Sequence, residues 1–315
     1  MNAKGDTAFV FPGQGSQCVG MLKALAADHA QIVETFREAS EVLGYDLWDL
    51  TQNGPEEVLN RTAVTQPALL AADVGCYRAW RARNGVRPAV MAGHSLGEYA
   101  ALVCAEAMDF REAVRLVARR GELMQGAVPQ GEGAMAAILG LADEAVEAVC
   151  RECAQGETLA AANYNAPGQV VIAGTKAAVD RALIAARAAG ARRSIVLAVS
   201  APSHCGLMQG AAREFAETLA PVTLKAPVVP VIQNTPVAAL SEPDLIREAL
   251  VSQLFSPVRW VETIRLVAAW EGMSRIVECG PGKVLTGLDR RIVDLPCVSL
   301  GEPADFAAAL GATGS

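Results

Sequence analysis

The run Gly93-His-Ser-Leu-Gly97 lies between a short apolar segment, Ala89–Ala92, and an apolar helix-forming one, Glu98–Val103, and it restricts the folding of this chain more than any other feature. A G-x-S-x-G in a strand-to-helix setting is a nucleophile elbow, in which the glycines permit a tight turn that lifts the serine hydroxyl to the carboxyl end of a sheet. The remaining sequence is of the kind that builds such a sheet. Short β-branched or apolar runs ending in Gly or Pro alternate with longer amphipathic segments, the pattern of a mainly parallel sheet wrapped by helices. The spacing predicts strands at Thr7–Phe11, Ala89–His94, Val228–Asn234, Arg275–Cys279 and Cys297–Leu300, with helices such as Gln66–Arg81, Asp109–Ala127, Leu207–Leu219 and Val258–Trp270 between them. The fold class is α/β.

The middle of the chain follows a different order. Strand Ala134–Leu139, helix Asp143–Cys153, strands Thr158–Ala162 and Gln169–Ala173, helix Thr175–Ala189 and strand Ser194–Val199 give β-α-β-β-α-β, the ferredoxin-like unit. It begins after the polar link Pro129-Gln-Gly-Glu-Gly133 and ends at Ser200-Ala-Pro202. A small domain over residues 129–199, inserted into a larger one made of 1–128 and 200–315, is the economical division. The length agrees, since 315 residues at roughly 150 per domain make about two.

Hydrophobic residues at 52% and charged residues at 19% argue against disorder of the chain as a whole, and a net charge of −7 argues against wholesale nucleic-acid binding. The search narrows to small molecules and proteins. Eight cysteines are scattered through mostly apolar runs, where a free thiol acts as a small hydrophobe, so a reducing cytoplasm is expected. Cys150-Arg-Glu-Cys153 has redox or metal spacing, but no second CxxC or nearby His completes a set, and the pair reads as inert. The N-terminus has no signal-peptide core, and the longest stretch free of Lys, Arg, Asp and Glu, Ser194–Ala212, contains Pro202, His204 and Gln209 and is not a membrane span.

Ser95 needs a base, and the chain has three histidines. His29, beside Asp28, reads as a solvated surface residue. His94 directly precedes Ser95 on a strand, so its side chain is expected on the opposite side of the backbone. His204, in Ser200-Ala-Pro-Ser-His204, is the free candidate, in a loop of the kind that holds catalytic groups. Asp109, Asp143 and Asp180 lie between Ser95 and His204, but each looks like a helix cap or helix-surface residue. A backbone carbonyl or an amide is the expected orienting group instead. The helix after the elbow aims its first N–H groups, that of Leu96 among them, at any oxyanion formed there. Phe11-Pro-Gly-Gln-Gly-Ser-Gln17 lacks the third glycine of a dinucleotide fingerprint, but the Gly-flanked Gln14 at a strand's carboxyl end can offer a backbone N–H to a second substrate oxygen. Gly280-Pro-Gly-Lys283 lacks Walker spacing and reads as a turn entering a helix. Arg120 alone reads as a solvated helix arginine, like Arg115 and Arg119.

Six motifs occur in order: Gly13-Gln-Gly-Ser-Gln17, Gly93-His-Ser-Leu-Gly-Glu98, Arg119-Arg-Gly121, Ala201-Pro-Ser-His204, Gln253-Leu-Phe-Ser-Pro-Val-Arg-Trp260 and Gly280-Pro-Gly-Lys283. With them the chain closely resembles the malonyl-CoA:acyl carrier protein transacylases from about Thr7 to Leu300. The resemblance implies an α/β-hydrolase-like large domain with a ferredoxin-like insert. It implies Ser95 as the acylated nucleophile, His204 as its base, Gln14 and Leu96 as the oxyanion donors and Gln253 as the residue whose main-chain carbonyl orients the histidine. It implies that Arg120 pairs with the malonyl carboxylate, a role suited to a guanidinium fork. Expected partners are malonyl-CoA, CoA and an acidic acyl carrier protein, met by a basic patch drawn from Arg192, Arg193, Lys283, Arg290 and Arg291, in a cytoplasmic monomer with no metal or redox cofactor. A serine hydrolase such as a thioesterase would share the elbow but have no use for Arg120, and a transferase serving malonate decarboxylation would share the chemistry with another carrier.

Overall fold

The computed structural model describes residues 6–197 and 201–312. Its strands are Thr7–Phe11 (β1), Val90–Gly93 (β2), Gly133–Leu139 (β3), Leu159–Ala166 (β4), Gln169–Thr175 (β5), Arg193–Val196 (β6), Val231–Gln233 (β7), Ala238–Ala239 (β8), Arg275–Glu278 (β9) and Cys297–Ser299 (β10). One sheet runs β10-β9-β1-β2-β7-β8 and the other β4-β5-β3-β6. In the first, all pairings are parallel except the short β7–β8 hairpin.

Both faces of the parallel sheet are covered, and β1 is buried along its whole length, as expected of a strand with helices on either side. Its side chains alternate between two cores. Phe9 and Phe11 join Trp80, Met91 and Tyr99 on one face, while Ala8 and Val10 join Val90, Ile232 and Trp260 on the other. The helix Thr62–Ala82 crosses the first face and is buried almost all round, and Trp80 from it donates to the Val86 carbonyl at 2.9 Å. A tryptophan there fills volume and still satisfies its N–H.

The second sheet is antiparallel throughout. Its alternation again separates two environments: Ala136 and Ile138 pack beneath the helices Asp143–Ala154 and Lys176–Ala188, whereas Met135, Ala137, Val171 and Ala173 face Cys205. This second face covers the carboxyl end of β2. β4 continues past the predicted end at Ala162 to Ala166, with register breaks at Ala161/Asn163 and Tyr164/Ala166. Bulges of this kind re-aim side chains at functional sites. They also let β4 form an isolated bridge with the segment before the helix Trp260–Ala268, where Tyr164 N–H donates to the Val258 carbonyl and Val258 N–H to that of Ala162, each at 2.9 Å.

Other predicted boundaries shift by a few residues. The strand expected at Val228–Asn234 shortens to Val231–Gln233, since Pro230 has no N–H to give to a ladder. The strand expected at Ser194–Val199 is observed as Arg193–Val196, and its last two predicted residues, with the domain junction at Ser200, lie outside the described residues. Among the described residues, no helix is long and apolar enough to cross a membrane.

His29 departs from its expected surface position. It is buried between the helices Lys23–Asp28 and Ala30–Leu43, with its ring centroid 4.5 Å from that of Phe306, and burial lowers its pKa. The covering helix, Pro303–Gly311, comes from the far end of the chain, so the local polar neighbours of His29 gave no sign of it. Cys150 and Cys153 pack in the core under their own helix, where burial pushes the Cys150 thiol up to about 12. Among the described residues no cluster of His, Cys, Asp or Glu is arranged to hold a metal ion.

Candidate active site

β2 ends at Gly93 in the middle of the parallel sheet, and the helix Gly97–Cys104 starts four residues later, so the chain must reverse within Gly93–Gly97. Two glycines make room: a Cβ on Gly93 would lie 1.9 Å from the Gly97 carbonyl carbon, and one on Gly97 2.0 Å from the Phe11 carbonyl oxygen. Ser95 at the apex has φ +52, a left-handed conformation that costs a side-chain-bearing residue on the order of 1–3 kcal/mol. The strain places Oγ above the sheet.

Ser95 Oγ lies 2.8 Å from His204 Nε2, and His204 Nδ1 lies 2.7 Å from the main-chain oxygen of Gln253. Gln253 is the last residue of the helix Pro243–Gln253. A carbonyl at a helix C-terminus has no partner within the helix and carries part of the negative end of its dipole. It therefore accepts from Nδ1–H, leaves Nε2 as the acceptor toward Ser95, and stabilises an imidazolium when one forms. His204 is 4% exposed, and burial together with the Arg120 charge lowers its pKa to about 3, so it is neutral and able to take a proton. The intervening carboxylates are elsewhere: Asp109 caps its helix by accepting from Glu112 N–H, Asp180 pairs with Lys176, and Asp143 sits in the first turn of its helix.

Arg120 is not the solvated residue that its charge suggests. It is 1% exposed and directs Nη1 to Gln66 Oε1 at 2.8 Å, Nη2 to Gln253 Oε1 at 2.8 Å and Nη2 to Ser95 Oγ at 3.3 Å, with the guanidinium carbon 5.3 Å from the Tyr99 ring centroid. Its Nε has no partner, and no carboxylate lies within ion-pair distance of it among the described residues. A buried cation held only by neutral groups leaves an anion to be supplied. A sequence signal for this existed. On the helix Phe110–Gly126 the buried stripe runs through Ala113, Leu116, Val117, Arg120, Leu123 and Met124, so Arg120 occupies an apolar position whereas Arg119 lies outside it.

A cavity of about 150 Å³ opens over Ser95 and includes Gln14, Leu96, Arg120 and His204 in its wall. The main-chain N–H groups of Gln14 and Leu96 have no partner among the described residues. They suit an oxyanion beside Ser95. Met135 and Val171 of the antiparallel sheet and Leu197 just past β6 also line it, together with Asn163 and Asn165 from the bulged end of β4. His94 does not bond Ser95. Its Nε2 lies 2.8 Å from Asn165 Oδ1 and its ring packs 5.3 Å from that of Trp260, so it ties the two sheets together.

Below Ser95 lies a buried polar layer that the sequence reading passed over. Asn234, Glu98 and the Gln253 side chain are all 0% exposed. Asn234 Oδ1 accepts from Ser95 N–H at 2.7 Å, Asn234 Nδ2 donates to the Gly93 carbonyl at 2.7 Å, and Gln253 Nε2 donates to the Ser95 carbonyl at 3.1 Å. Glu98 Oε2 accepts from Asn234 N–H at 2.7 Å, and burial raises its carboxyl to about 7. Asn234 follows a strand and precedes Thr-Pro, a setting that reads only as a turn, and Glu98 reads as an ordinary first-turn acid. Gln66, on the all-round buried helix, had no local mark either.

The five basic candidates are all exposed, on several elements. Lys283 pairs with Asp305 at 2.7 Å, Arg290 holds the Cys297 carbonyl at 2.8 Å, and Arg291 holds Gln169 and the Pro167 carbonyl. Arg192 and Arg193 stand at the start of the edge strand β6.

Comparison with known proteins gives concordant results. Residues 8–291 match the family model described as acyl transferase domain. The malonyl CoA-acyl carrier protein transacylase of Escherichia coli K12 is 57% identical over 304 residues, 96% of this chain and 98% of that protein. An acyl carrier protein S-malonyltransferase from Vibrio cholerae superposes with a TM-score of 0.94 at 55% identity, over 96% of this chain and 99% of that one. A type II polyketide acyl carrier protein in complex with its malonyl-transacylase contains a chain that superposes at 0.96 and 52% identity, over 98% of this chain and 99% of that one.

Proposed function

The chain belongs to the acyl transferase domain family, among the malonyl CoA-acyl carrier protein transacylases, and from that footing we propose how its residues carry out the transfer. It is an S-malonyltransferase that moves the malonyl group from malonyl-CoA to acyl carrier protein, supplying extender units for fatty acid synthesis. The observation that carries the malonyl assignment is Arg120, a guanidinium 1% exposed beside the nucleophile with only neutral partners. A malonyl group brings the missing carboxylate, and a neutral acyl chain leaves the cation buried and unpaired.

Ser95 Oγ attacks the thioester carbonyl while His204 Nε2 takes its proton, and the N–H groups of Gln14 and Leu96 hold the tetrahedral oxyanion. Collapse breaks the C–S bond, and the imidazolium returns the proton to the departing CoA sulfur. In the second half the phosphopantetheine thiol of the carrier gives its proton to His204 and attacks the malonyl-serine ester. The Ser95 oxygen leaves and recovers the proton. Every proton and charge is handled by these residues, so the reaction calls for no metal or redox cofactor. The Gln253 carbonyl keeps His204 in the tautomer both halves require.

The same reading makes the parallel-sheet unit, 1–128 with 200–315, an α/β-hydrolase-like domain and 129–199 a ferredoxin-like insert, whose strand order β4-β5-β3-β6 suits that fold. The phosphopantetheine enters between them. The acidic carrier docks on basic side chains drawn from Arg192, Arg193, Lys283, Arg290 and Arg291. The protein works as a cytoplasmic monomer, since one chain supplies all the reacting groups and its buried cysteines are free thiols.

Intact-mass measurement after mixing with malonyl-CoA tests the mechanism. A malonyl adduct is expected on Ser95, absent in Ser95→Ala and discharged by holo-acyl carrier protein faster than by water. An active preparation with no adduct at any quench time would refute the acyl-serine route.

A further inference from the structure

Asn234 sits where the parallel ladder between β2 and β7 runs out. The two strands pair through Met91–Val231 and Ala92–Ile232, and Asn234 directly follows β7. In a parallel ladder, a residue opposite position j donates its N–H to the carbonyl of j−1 and accepts from the N–H of j+1. Opposite His94, those groups are the Gly93 carbonyl and the Ser95 N–H. The Asn234 main-chain N–H has turned away to Glu98 Oε2, and its side-chain amide makes both bonds instead, each at 2.7 Å. An asparagine side chain offers the donor and acceptor of a peptide unit. It therefore extends the sheet by one residue's worth of bonding at the point where β2 leaves it to form the elbow. On the other side His94 N–H is held by the Phe11 carbonyl at 2.9 Å, so the strained turn is gripped from both neighbouring strands.

We infer that Asn234 is the positioning residue of the nucleophile: its side-chain amide, oriented by Glu98, locks the Ser95 peptide in the left-handed turn that aims Oγ at His204. This rests on Ser95 being the acylated residue. It assigns the buried Glu98 a task as well, since the carboxylate keeps the Asn234 main chain from taking the ladder position itself. Asn234 is fully buried and forms no part of the wall of the cavity over Ser95, so its loss acts on the rate of acylation and not on binding.

The tests are Asn234→Ala and Asn234→Asp. Misplacing a reacting atom by about 1 Å costs about 10²-fold, so Asn234→Ala is expected to lower kcat and the single-turnover acylation rate by about 10²-fold, with KM for malonyl-CoA held by Arg120. Asn234→Asp gives a readout that a purely structural role would not move. A protonated carboxyl keeps one donor and one acceptor, whereas an ionised one sets an oxygen anion against the Gly93 carbonyl. Glu98 on the elbow helix, Arg120 on the helix Phe110–Gly126, and His94 and His204 in the adjoining loops are the titratable groups around this position, while β7 and the helix Pro243–Gln253 present only the neutral amides of Gln233 and Gln253. Burial favours the neutral acid, as does Glu98 when ionised, and at the neighbouring Glu98 burial already prevails over the opposing charge of Arg120. The kcat of Asn234→Asp relative to wild type should therefore rise at least about tenfold from about pH 8 to about pH 5.5, with native near-ultraviolet circular dichroism at both. A ratio flat with pH overturns the inference, as does an unchanged kcat in Asn234→Ala, or activity lost only in parallel with the native spectrum. Should Asn234→Ala fail to fold, Asn234→Asp decides alone. Wild-type protein that shows no Ser95 adduct would instead refute the nucleophile assignment, which separates the two failures.

Discussion

Replacing Arg120 by alanine removes the one buried cation of the site and leaves the catalytic pair in place, because His204 is oriented by the Gln253 main-chain oxygen and not by its side chain. A guanidinium has five N–H donors. In the free protein three contacts engage it, to Gln66, Gln253 and Ser95, so two donors remain for a bidentate carboxylate, and a third is released if the long 3.3 Å contact to Ser95 Oγ gives way. Truncating one partner of a buried, hydrogen-bonded charge pair costs about 2–5 kcal/mol. At about 1.36 kcal/mol per decade this is about 30- to 5,000-fold in kcat/KM for malonyl-CoA. With Arg120 only 1% exposed, water and salt screen the pair little, so a loss near the upper end, about 10³-fold, is expected. Acetyl-CoA should respond in the opposite sense, since it no longer has to leave a buried cation unpaired, and its kcat/KM relative to malonyl-CoA rises. Arg120→Lys keeps charge without the planar fork and should fall between. The assay is kcat/KM for malonyl-, methylmalonyl- and acetyl-CoA in the three proteins. If all substrates decline by one factor in Arg120→Ala, the residue supports the fold or the general chemistry, and the carboxylate pairing is wrong.

His204→Ala should slow acylation by about 10²–10⁴-fold, the range for a positioned general base, with an unchanged thermal transition. His94→Ala should cost far less activity, because His94 bonds Asn165 and not Ser95; a larger loss in folded His94→Ala than in His204→Ala would reverse the two. The base must be unprotonated to act, and burial and Arg120 push His204 from 6.5 to about 3, so the acid limb of kcat/KM for malonyl-CoA should lie well below 6.5. Arg120→Ala removes part of that depression and should move the limb upward; a wild-type limb at 6.5 would contradict the geometry.

The elbow, most strands of both sheets and the order of elements in the middle of the chain were legible from the sequence, because each is marked by residue types and alternation within a few positions, whereas the two-residue strand β8 carried no such mark. Gly93 and Gly97 mark a turn by their lack of Cβ, and alternation along Thr7–Phe11 or Gly133–Leu139 marks a strand with two covered faces. The single free histidine in a loop pointed to His204 by elimination. What lay out of reach were the partnerships between distant elements, which depend on how the sheet orders its strands and where its helices end. The Gln253 carbonyl faces His204 because one helix stops there, Arg120 is buried because its helix turns that face to the sheet, and His29 is covered by a helix from the far end of the chain. Asn234 shows the limit most plainly. Its amide takes the place of a backbone residue 141 positions from Gly93, and no local pattern distinguishes such an asparagine from one that merely forms a turn. Only the parallel pairing of β2 with β7 brings the two together, since a ladder joins residues by strand adjacency and is indifferent to the length of chain between them.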